Sequence, residues 1–505
     1  MNFTSIVDAA LSGRRHRLDR YEQDAEALQM SVLRHLLQRA RSTEWGRSHG
    51  YSDIRSYEQF AAAFGVQSYD DLKSYIDRMR HGQSDVLWPG RIRWYAKSSG
   101  TTSERSKFIP VSPEALKDTH YAGGRDSVVT YLTHKQHSRI FDGKALILGG
   151  SHAPNYNLPH SYVGDLSAIL IENANPIVNF VRVPRKQTAL LSDFAEKRER
   201  IAREAAGRNV TSLSGVPSWM LSVITRVLEL TGKEHLDDVW PNLEVFWHGG
   251  VAFTPYREQY RHLFRHKEMS YVETYNASEG FFGVQSSPTD EAMLMMVDYG
   301  VFYEFIPIDE VESPHPTVLP LWGVEPGRNY AIVISTSSGL WRYMLGDTVR
   351  FTQRDPYKFV ITGRTKFFIN AFGEELIVDN AEHALAAACT QTGAEVLEYT
   401  AAPIFMDGHA RCRHQWLIEF SRPPADSEAF ADCLDRELQR QNTDYEAKRA
   451  KDITLQRLQL ITARPGLFNE WLASHGKLGG QHKVPRLSNN RDIIEEMLKM
   501  NIGRF

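Results

Sequence analysis

Cysteine is scarce in this chain: Cys389, Cys412 and Cys433 are the three in 505 residues, widely spaced and never in a Cys-x-x-Cys pair. That excludes a disulfide framework and a thiolate zinc site, and it fits reduced thiols in a cytoplasmic protein. Long apolar runs are missing as well. No stretch approaches the roughly 20 apolar residues needed to span a bilayer. The opening Met1–Asp8 runs on to Arg14-Arg15-His16-Arg17 without the apolar core of a signal peptide. Excess charge is lacking too: 59 Lys and Arg stand against 62 Asp and Glu, a formal net charge of -3. No basic cluster offers itself to nucleic acid or anionic lipid. His-Glu-x-x-His, Gly-x-Ser-x-Gly, Gly-x-Gly-x-x-Gly and the P-loop signature are all absent. The 19 histidines are scattered, and His134, His137, His152 and His160 read as surface or packing residues. These absences predict a soluble cytoplasmic protein with neither nucleic acid nor membrane as a partner; a monomer or weak homodimer is expected.

What is present is ordinary in bulk and specific in detail. Hydrophobic residues make up 42% and charged residues 24%, as in soluble globular proteins, and the length exceeds what one core serves. Leu28, Val32, Leu33, Leu36, Leu37 and Ala40 recur at helical spacing, predicting a helix near 22–41. Ala145–Leu148, Leu243–Trp247 and Tyr330–Ser335 read as strands, and Asp193–Gly207 and Ser218–Leu230 as helices, the alternation of an α/β domain. After Gly363 the pattern restarts on a smaller scale. Helices are expected near Asp379–Cys389 and Ser427–Gln441, and strands at Glu395–Thr400, His414–Phe420 and Ile453–Ile461, a compact α+β unit.

Within this frame several short runs carry chemistry. Ser98-Ser99-Gly100-Thr101-Thr102 is a hydroxyl- and glycine-rich loop followed by Lys107. Hydroxyls and exposed backbone N–H groups on such a turn can wrap phosphate oxygens, with lysine supplying charge. The strand-like Ile92–Ala96 leads in and Lys107–Ser112 leads out. Glu279 follows strand-like Tyr271–Tyr275, at the edge where α/β sheets hold ligands; taken alone, Ser278-Glu279-Gly280 reads as a helix-starting turn. Asp347 follows Gly346 at a turn before a strand, and an ionised carboxylate suits a grip on two vicinal hydroxyls. His248 reads as a satisfied core histidine, and Trp219 as core packing that borders a pocket at most. Gly363 and Gly373 bracket Arg364-Thr365-Lys366-Phe367-Phe368-Ile369, giving backbone freedom at both ends of a hinge.

Taken in order, these runs resemble the Gretchen Hagen (auxin-responsive promoter) family of acyl acid amido synthetases, in its bacterial branch. That family is related to acyl-CoA synthetases, peptide-synthetase adenylation domains and luciferases. Ser98–Thr102 matches the family's phosphate loop. Tyr275-Asn-Ala-Ser278-Glu279-Gly280 matches its Tyr-x-x-Ser-Glu-Gly signature, and Arg342-Tyr343-Met-Leu-Gly346-Asp347 matches Arg-Tyr-x-x-Gly-Asp. Trp247-His-Gly249-Gly250-Val251-Ala252 resembles the strand end that lies along adenine, and Gln481-His-Lys483-Val-Pro-Arg486 the segment carrying a mobile catalytic lysine. Gly363–Ile377 matches the hinge of the wider superfamily, with Glu382 further on. One departure stands out: Ser103-Glu104-Arg105-Ser106-Lys107 replaces the usual Pro-Lys after the loop.

The resemblance implies an α/β fold with a large N-terminal adenylate-forming domain at 1–362, its mixed sheets flanked by helices. A hinge at 363–372 and a small mobile α+β domain at 373–505 complete it. It implies MgATP, a small carboxylic acid and an amino acid or other amine as ligands. Glu279 becomes the magnesium-linked carboxylate, Lys107 and Lys483 the catalytic cations, and Asp347 the ribose ligand. Ser98–Thr102, Gly249–Val251, Tyr275, Ser278, Tyr343 and Arg364 complete the nucleotide site. The implied activity is a ligase that forms an acyl-adenylate and passes the acyl group to an amine. An acid–thiol ligase making a CoA thioester is the alternative, and an inactive nucleotide-binding relative a more distant one.

Overall fold

The computed structural model describes residues 3–99, 106–135, 137–250, 253, 256–265, 268–287, 289–311, 313–365, 368–405, 412–450, 454–475 and 484–502. Two compact units emerge: Met1–Ser98 with Phe108–Thr365, and Ser99–Lys107 with Lys366–Phe505.

The first unit is built on a twelve-stranded mixed sheet among the described residues. Its parallel portion runs Arg182–Val183, Lys144–Ile147, Val210–Gly215, Val245–His248 and Ser270–Ala277 across the sheet. Gly280–Gln285, Met293–Met295, Tyr357–Arg364, Tyr343–Arg354, Asn329–Thr336, Val301–Pro307 and Leu319–Pro320 continue it antiparallel. The Val301–Pro307 and Asn329–Thr336 strands are buried almost throughout, so they are largely apolar on both faces rather than alternating, with Glu304 the buried exception. Helix Tyr21–Ala40 lays Leu33, Leu36, Leu37 and Ala40 onto this sheet, the stripe expected from their spacing. Helices Phe194–Ala206 and Pro217–Thr231 flank the parallel portion; Asp193 caps the first through Glu196 N–H, and Gly232 in the left-handed region ends the second. A three-stranded sheet, ordered Ser106–Val111, Trp94–Ser99 and Tyr162–Gly164, carries the residues that flank the Ser98–Thr102 run. Pro110, which lacks an N–H, sits on its edge strand.

In the second unit, helices Val378–Thr392 and Ser427–Gln441 accompany a sheet ordered Glu395–Ile404, Arg413–Arg422 and Gln459–Thr462. Leu417, Leu467, Phe468, Trp471 and Met497 form its core. The strand expected over Ile453–Ile461 is shorter and later than its composition suggests. It covers Gln459–Thr462; Ile453 lies outside the described residues. Leu455 and Leu458 are instead buried from an irregular segment, where Arg449 Nη1 donates to the Leu455 carbonyl at 3.0 Å. Their burial, not strand pairing, accounts for the apolar run.

Candidate active site

The site is assembled where the parallel and antiparallel halves of the first unit's sheet meet. Strands Ser270–Ala277 and Gly280–Gln285 form a hairpin whose two-residue connection is Ser278-Glu279, with Ala277 opposite Gly280. Glu279 therefore sits at a strand end as expected, but on a hairpin tip; the helix-starting alternative is not realised. Period-two alternation sends Tyr271, Glu273 and Tyr275 to one face of their strand.

Asp347 lies inside strand Tyr343–Arg354, not before a strand as its Gly-Asp sequence suggests. Gly346 takes φ +93, a left-handed conformation that allows a bulge within a continuous strand rather than a turn that ends it. Asp347 is consequently paired directly across from Arg364, the last residue of strand Tyr357–Arg364. Arg364 Nε donates to Asp347 Oδ1 at 2.7 Å, and the Tyr275 hydroxyl donates to Asp347 Oδ2. The carboxylate is buried to within 9% exposure by residue, while Arg364 remains partly open. Burial foremost, with Asp347 adding, holds the Tyr275 phenol well above its ordinary range. Tyr343 is fully buried beside this group and shifted the same way by burial, with Glu279 the next contributor. Tyr275, Asp347, Arg364, Tyr343 and Glu279 are thus drawn from three strands and a hairpin tip into one neighbourhood. A carboxylate with about four acceptor positions, two of them occupied, still offers acceptors to vicinal hydroxyls.

The Trp247–Gly250 strand end lies beside it. A Cβ on Gly249 would stand 2.2 Å from the Thr274 carbonyl oxygen, so only glycine lets this backbone lie flat against the neighbouring strand. His248 is buried and stacked on Phe253 with ring centroids 4.1 Å apart. Its Nδ1 has no hydrogen-bond partner among the described residues, so it is a packed histidine but not a satisfied one. Burial foremost pushes its pKa down to about 3, which keeps it neutral. Trp219 is buried against Phe194, with ring centroids 4.0 Å apart.

Ser98 and Ser99 close the strand Trp94–Ser99, and Lys107 is a buried, partnered residue of Ser106–Val111. The Phe108 N–H, next along that strand, donates to the Tyr69 hydroxyl at 2.8 Å. Gly363 is a strand residue opposite Thr348. Gly373 follows a turn whose Ala371 and Phe372 N–H groups are both accepted by the Glu374 carboxylate. Gly100, Thr101, Thr102, Val251, Lys366 and Lys483 lie outside the described residues.

Three features of the site are not apparent from motifs. Arg342, from the same run as Asp347, turns away to Glu304 and has no place in the site. Glu273, two residues before Tyr275 on the same face, is a half-buried carboxyl whose pKa rises to about 7 through desolvation, with Glu291 adding to it. Strand alternation from Tyr275 is the signal that marks it. Asn276, inside the Tyr-x-x-Ser-Glu motif, accepts a hydrogen bond from His120, 156 residues earlier.

Comparison with known proteins places this geometry in a family. The model of the GH3 family N-terminal domain matches residues 14–269, that of the central domain 294–364, and that of the C-terminal domain 379–492. The chain is 22% identical to indole-3-acetic acid-amido synthetase GH3.3 of Arabidopsis thaliana, over 95% of this chain and 92% of that protein. It is 25% identical to indole-3-acetic acid-amido synthetase GH3.8 of Oryza sativa subsp. indica, over 95% and 91% respectively. Its fold is similar to that of the AtGH3.15 acyl acid amido synthetase in complex with 2,4-DB. There the TM-score is 0.61 at 19% identity, covering 96% of this chain and 95% of that one. It is also similar in fold to 2-hydroxyisobutyryl-CoA ligase in complex with 2-HIB-AMP and CoA, with a TM-score of 0.58 at 13% identity, covering 95% and 92%. With an adenylate-forming fold and three family domains matched in order, the chain belongs to the GH3 family of acyl acid amido synthetases.

Proposed function

We propose that this chain activates a small carboxylic acid with ATP and joins it to an amino acid or other amine. The acid's carboxylate oxygen attacks the α-phosphorus of ATP, pyrophosphate departs, and an acyl-adenylate remains. The amine nitrogen then attacks the acyl carbon, AMP departs with the electron pair of the broken C–O bond, and the amine loses a proton as the amide forms. The observation that carries this reading is the Asp347–Tyr275–Arg364 cluster beside the Glu279 hairpin tip. Asp347 accepts the ribose hydroxyls, and Arg364 and Tyr275 fix the carboxylate so that little ordering remains on binding. Gly249 and Gly250 leave flat backbone for adenine.

The first step brings two anions together, so neutralisation of charge governs it. Lys107 serves the phosphates, and the family resemblance assigns Lys483 to the reacting carboxylate and α-phosphate. Glu279 is the residue that would hold magnesium. Among the described residues no group of three or more His, Cys, Asp or Glu is arranged for a metal. That suits an ion that takes one or two carboxylates and draws its other oxygens from phosphate and water. Bound there, the ion supplies charge neutralisation on the phosphates. Residues 373–505 are proposed to reorient about Gly363–Phe372 between the two steps, and the chain to act as a monomer or weak homodimer in the cytoplasm.

Pyrophosphate release from MgATP, measured across a panel of aromatic and small hydrophobic acids with and without amino acids, tests the proposal. Acid-dependent release accelerated by amino acids supports it. Release accelerated by CoA alone moves the chain to the acid–thiol ligases, and no release with any acid contradicts it.

A further inference from the structure

We infer that Asn276 contacts the carboxyl end of the acyl substrate and that His120 is the positioning residue that aims it. The inference rests on the acyl-adenylate reading above. His120 is buried and Asn276 exposed, on the strand that leads to Glu279 three residues on. His120 Nδ1 meets Asn276 Oδ1 at 3.0 Å. A carboxamide oxygen only accepts, so His120 Nδ1 carries the proton and donates it. With Oδ1 held by the ring, the two N–H donors of Asn276 Nδ2 point the other way, away from His120. A carboxylate, or the carbonyl of an acyl-adenylate, offers only acceptors, so these donors match it.

Two backbone irregularities meet at this contact. His120 ends a π-helical turn, Leu116–His120, set into the helix that continues as Tyr121–His134. Such turns recur at functional sites because they rotate one side chain out of the helical pattern. Opposite it, the register of the Ser270–Ala277 and Gly280–Gln285 pair shifts between Tyr275 and Asn276, and a bulge of this kind re-aims a side chain. The helix can come this close because Gly123 has no side chain: a Cβ there would lie 2.2 Å from Cγ of Phe281, the residue paired with Asn276. Burial foremost lowers the His120 pKa to about 4, so the ring is a neutral donor at neutral pH and adds no charge beside the substrate. The strand thus divides its work: Tyr275 serves the nucleotide through Asp347, and Asn276 serves the acid.

The experiment titrates the full chain calorimetrically with a benzoyl-sulfamoyl adenosine, an unreactive acyl-adenylate, and with AMP as reference. Wild type is expected to bind the acyl analogue more tightly than AMP. Asn276→Asp, which sets an acceptor and a negative charge against the acyl oxygen, is expected to weaken the analogue at least ~10-fold and AMP less than ~2-fold. His120→Phe should weaken the analogue about 3- to 5-fold, while His120→Gln, whose amide N–H can still reach Asn276 Oδ1, should stay within about 2-fold of wild type. Because Asn276 is exposed, its variant keeps the test valid should His120→Phe fold poorly. Unchanged analogue affinity in Asn276→Asp, or an equal loss of AMP, overturns the assignment. A wild-type chain that binds neither ligand overturns the nucleotide-site reading and this inference with it.

Discussion

Two carboxylate–arginine–tyrosine groups branch from the single run Arg342–Asp347, one sealed and one open. Glu304 pairs with Arg342 at 2.9 Å and receives the Tyr57 hydroxyl at 3.1 Å. Asp347 pairs with Arg364 at 2.7 Å and receives the Tyr275 hydroxyl. The composition is the same, and both arginines border the Tyr343–Asp347 run. The first group is sealed: side-chain exposure is 4% for Arg342 and 0% for Glu304. Arg342 Nη1 further donates to the Ala61 and Phe64 carbonyls. Every strong donor is used on the protein itself. The second group is open at one end, with Arg364 at 23% and Asp347 at 13%, so acceptors remain for a ligand. Burial alone raises the cost of breaking the first group and lowers that of the second.

Removing Arg342 should therefore give the largest effect on folding. Arg342→Ala strands a buried carboxyl that desolvation already holds above its ordinary range, and should cost about 3–5 kcal/mol, read by denaturant unfolding. Glu279→Gln should have the largest effect on chemistry. It is expected to lower acid-dependent pyrophosphate release by roughly 100-fold or more with an unchanged melting temperature.

How much of this contrast is legible in the sequence depends on range. Helix Ser427–Gln441 appears as expected because local signals agree: an amphipathic stripe begins just after Asp426, whose carboxylate caps the Glu428 and Ala429 N–H groups. Tyr275, Glu279, Tyr343, Asp347 and Arg364 fall into one neighbourhood, and each lies in a run with its own signature. Asp347 reads from sequence as preceding its strand because Gly-Asp looks like a turn locally, whereas strand Tyr343–Arg354 is held through the bulge by pairing on both sides. The split fate of Arg342 and Asp347 is invisible in one run of six residues. It is set by Glu304 and Arg364, which arrive from two other strands. The His120–Asn276 bond spans too great a separation for any pattern to show.

Acid should act on the first unit through two buried histidines. His120 and His248 have folded pKa values near 4 and 3, below the ordinary 6.5, so the unfolded chain binds more protons between these values. Their stabilisation is fully present above pH 6.5 and is lost as pH falls toward 4. His248→Phe should remove about 2 kcal/mol of the loss that wild type accumulates between pH 6.5 and pH 5, measured as unfolding free energy against pH. Arg364→Ala, the open counterpart of Arg342→Ala, should cost less than about 1 kcal/mol of stability and weaken AMP roughly 10-fold in calorimetric titration. Tyr275→Phe, which removes one neutral donor from Asp347, should weaken AMP only about 3- to 5-fold.

The central claim is that the open group binds nucleotide and its sealed counterpart does not. AMP affinity and unfolding free energy, measured together for Asp347→Asn and Glu304→Gln, test it most directly. Asp347→Asn is expected to lose AMP affinity at least ~10-fold with stability nearly intact, and Glu304→Gln to lose stability while its folded fraction binds AMP as wild type does. Wild-type AMP affinity in Asp347→Asn, or a loss confined to Glu304→Gln, would contradict it.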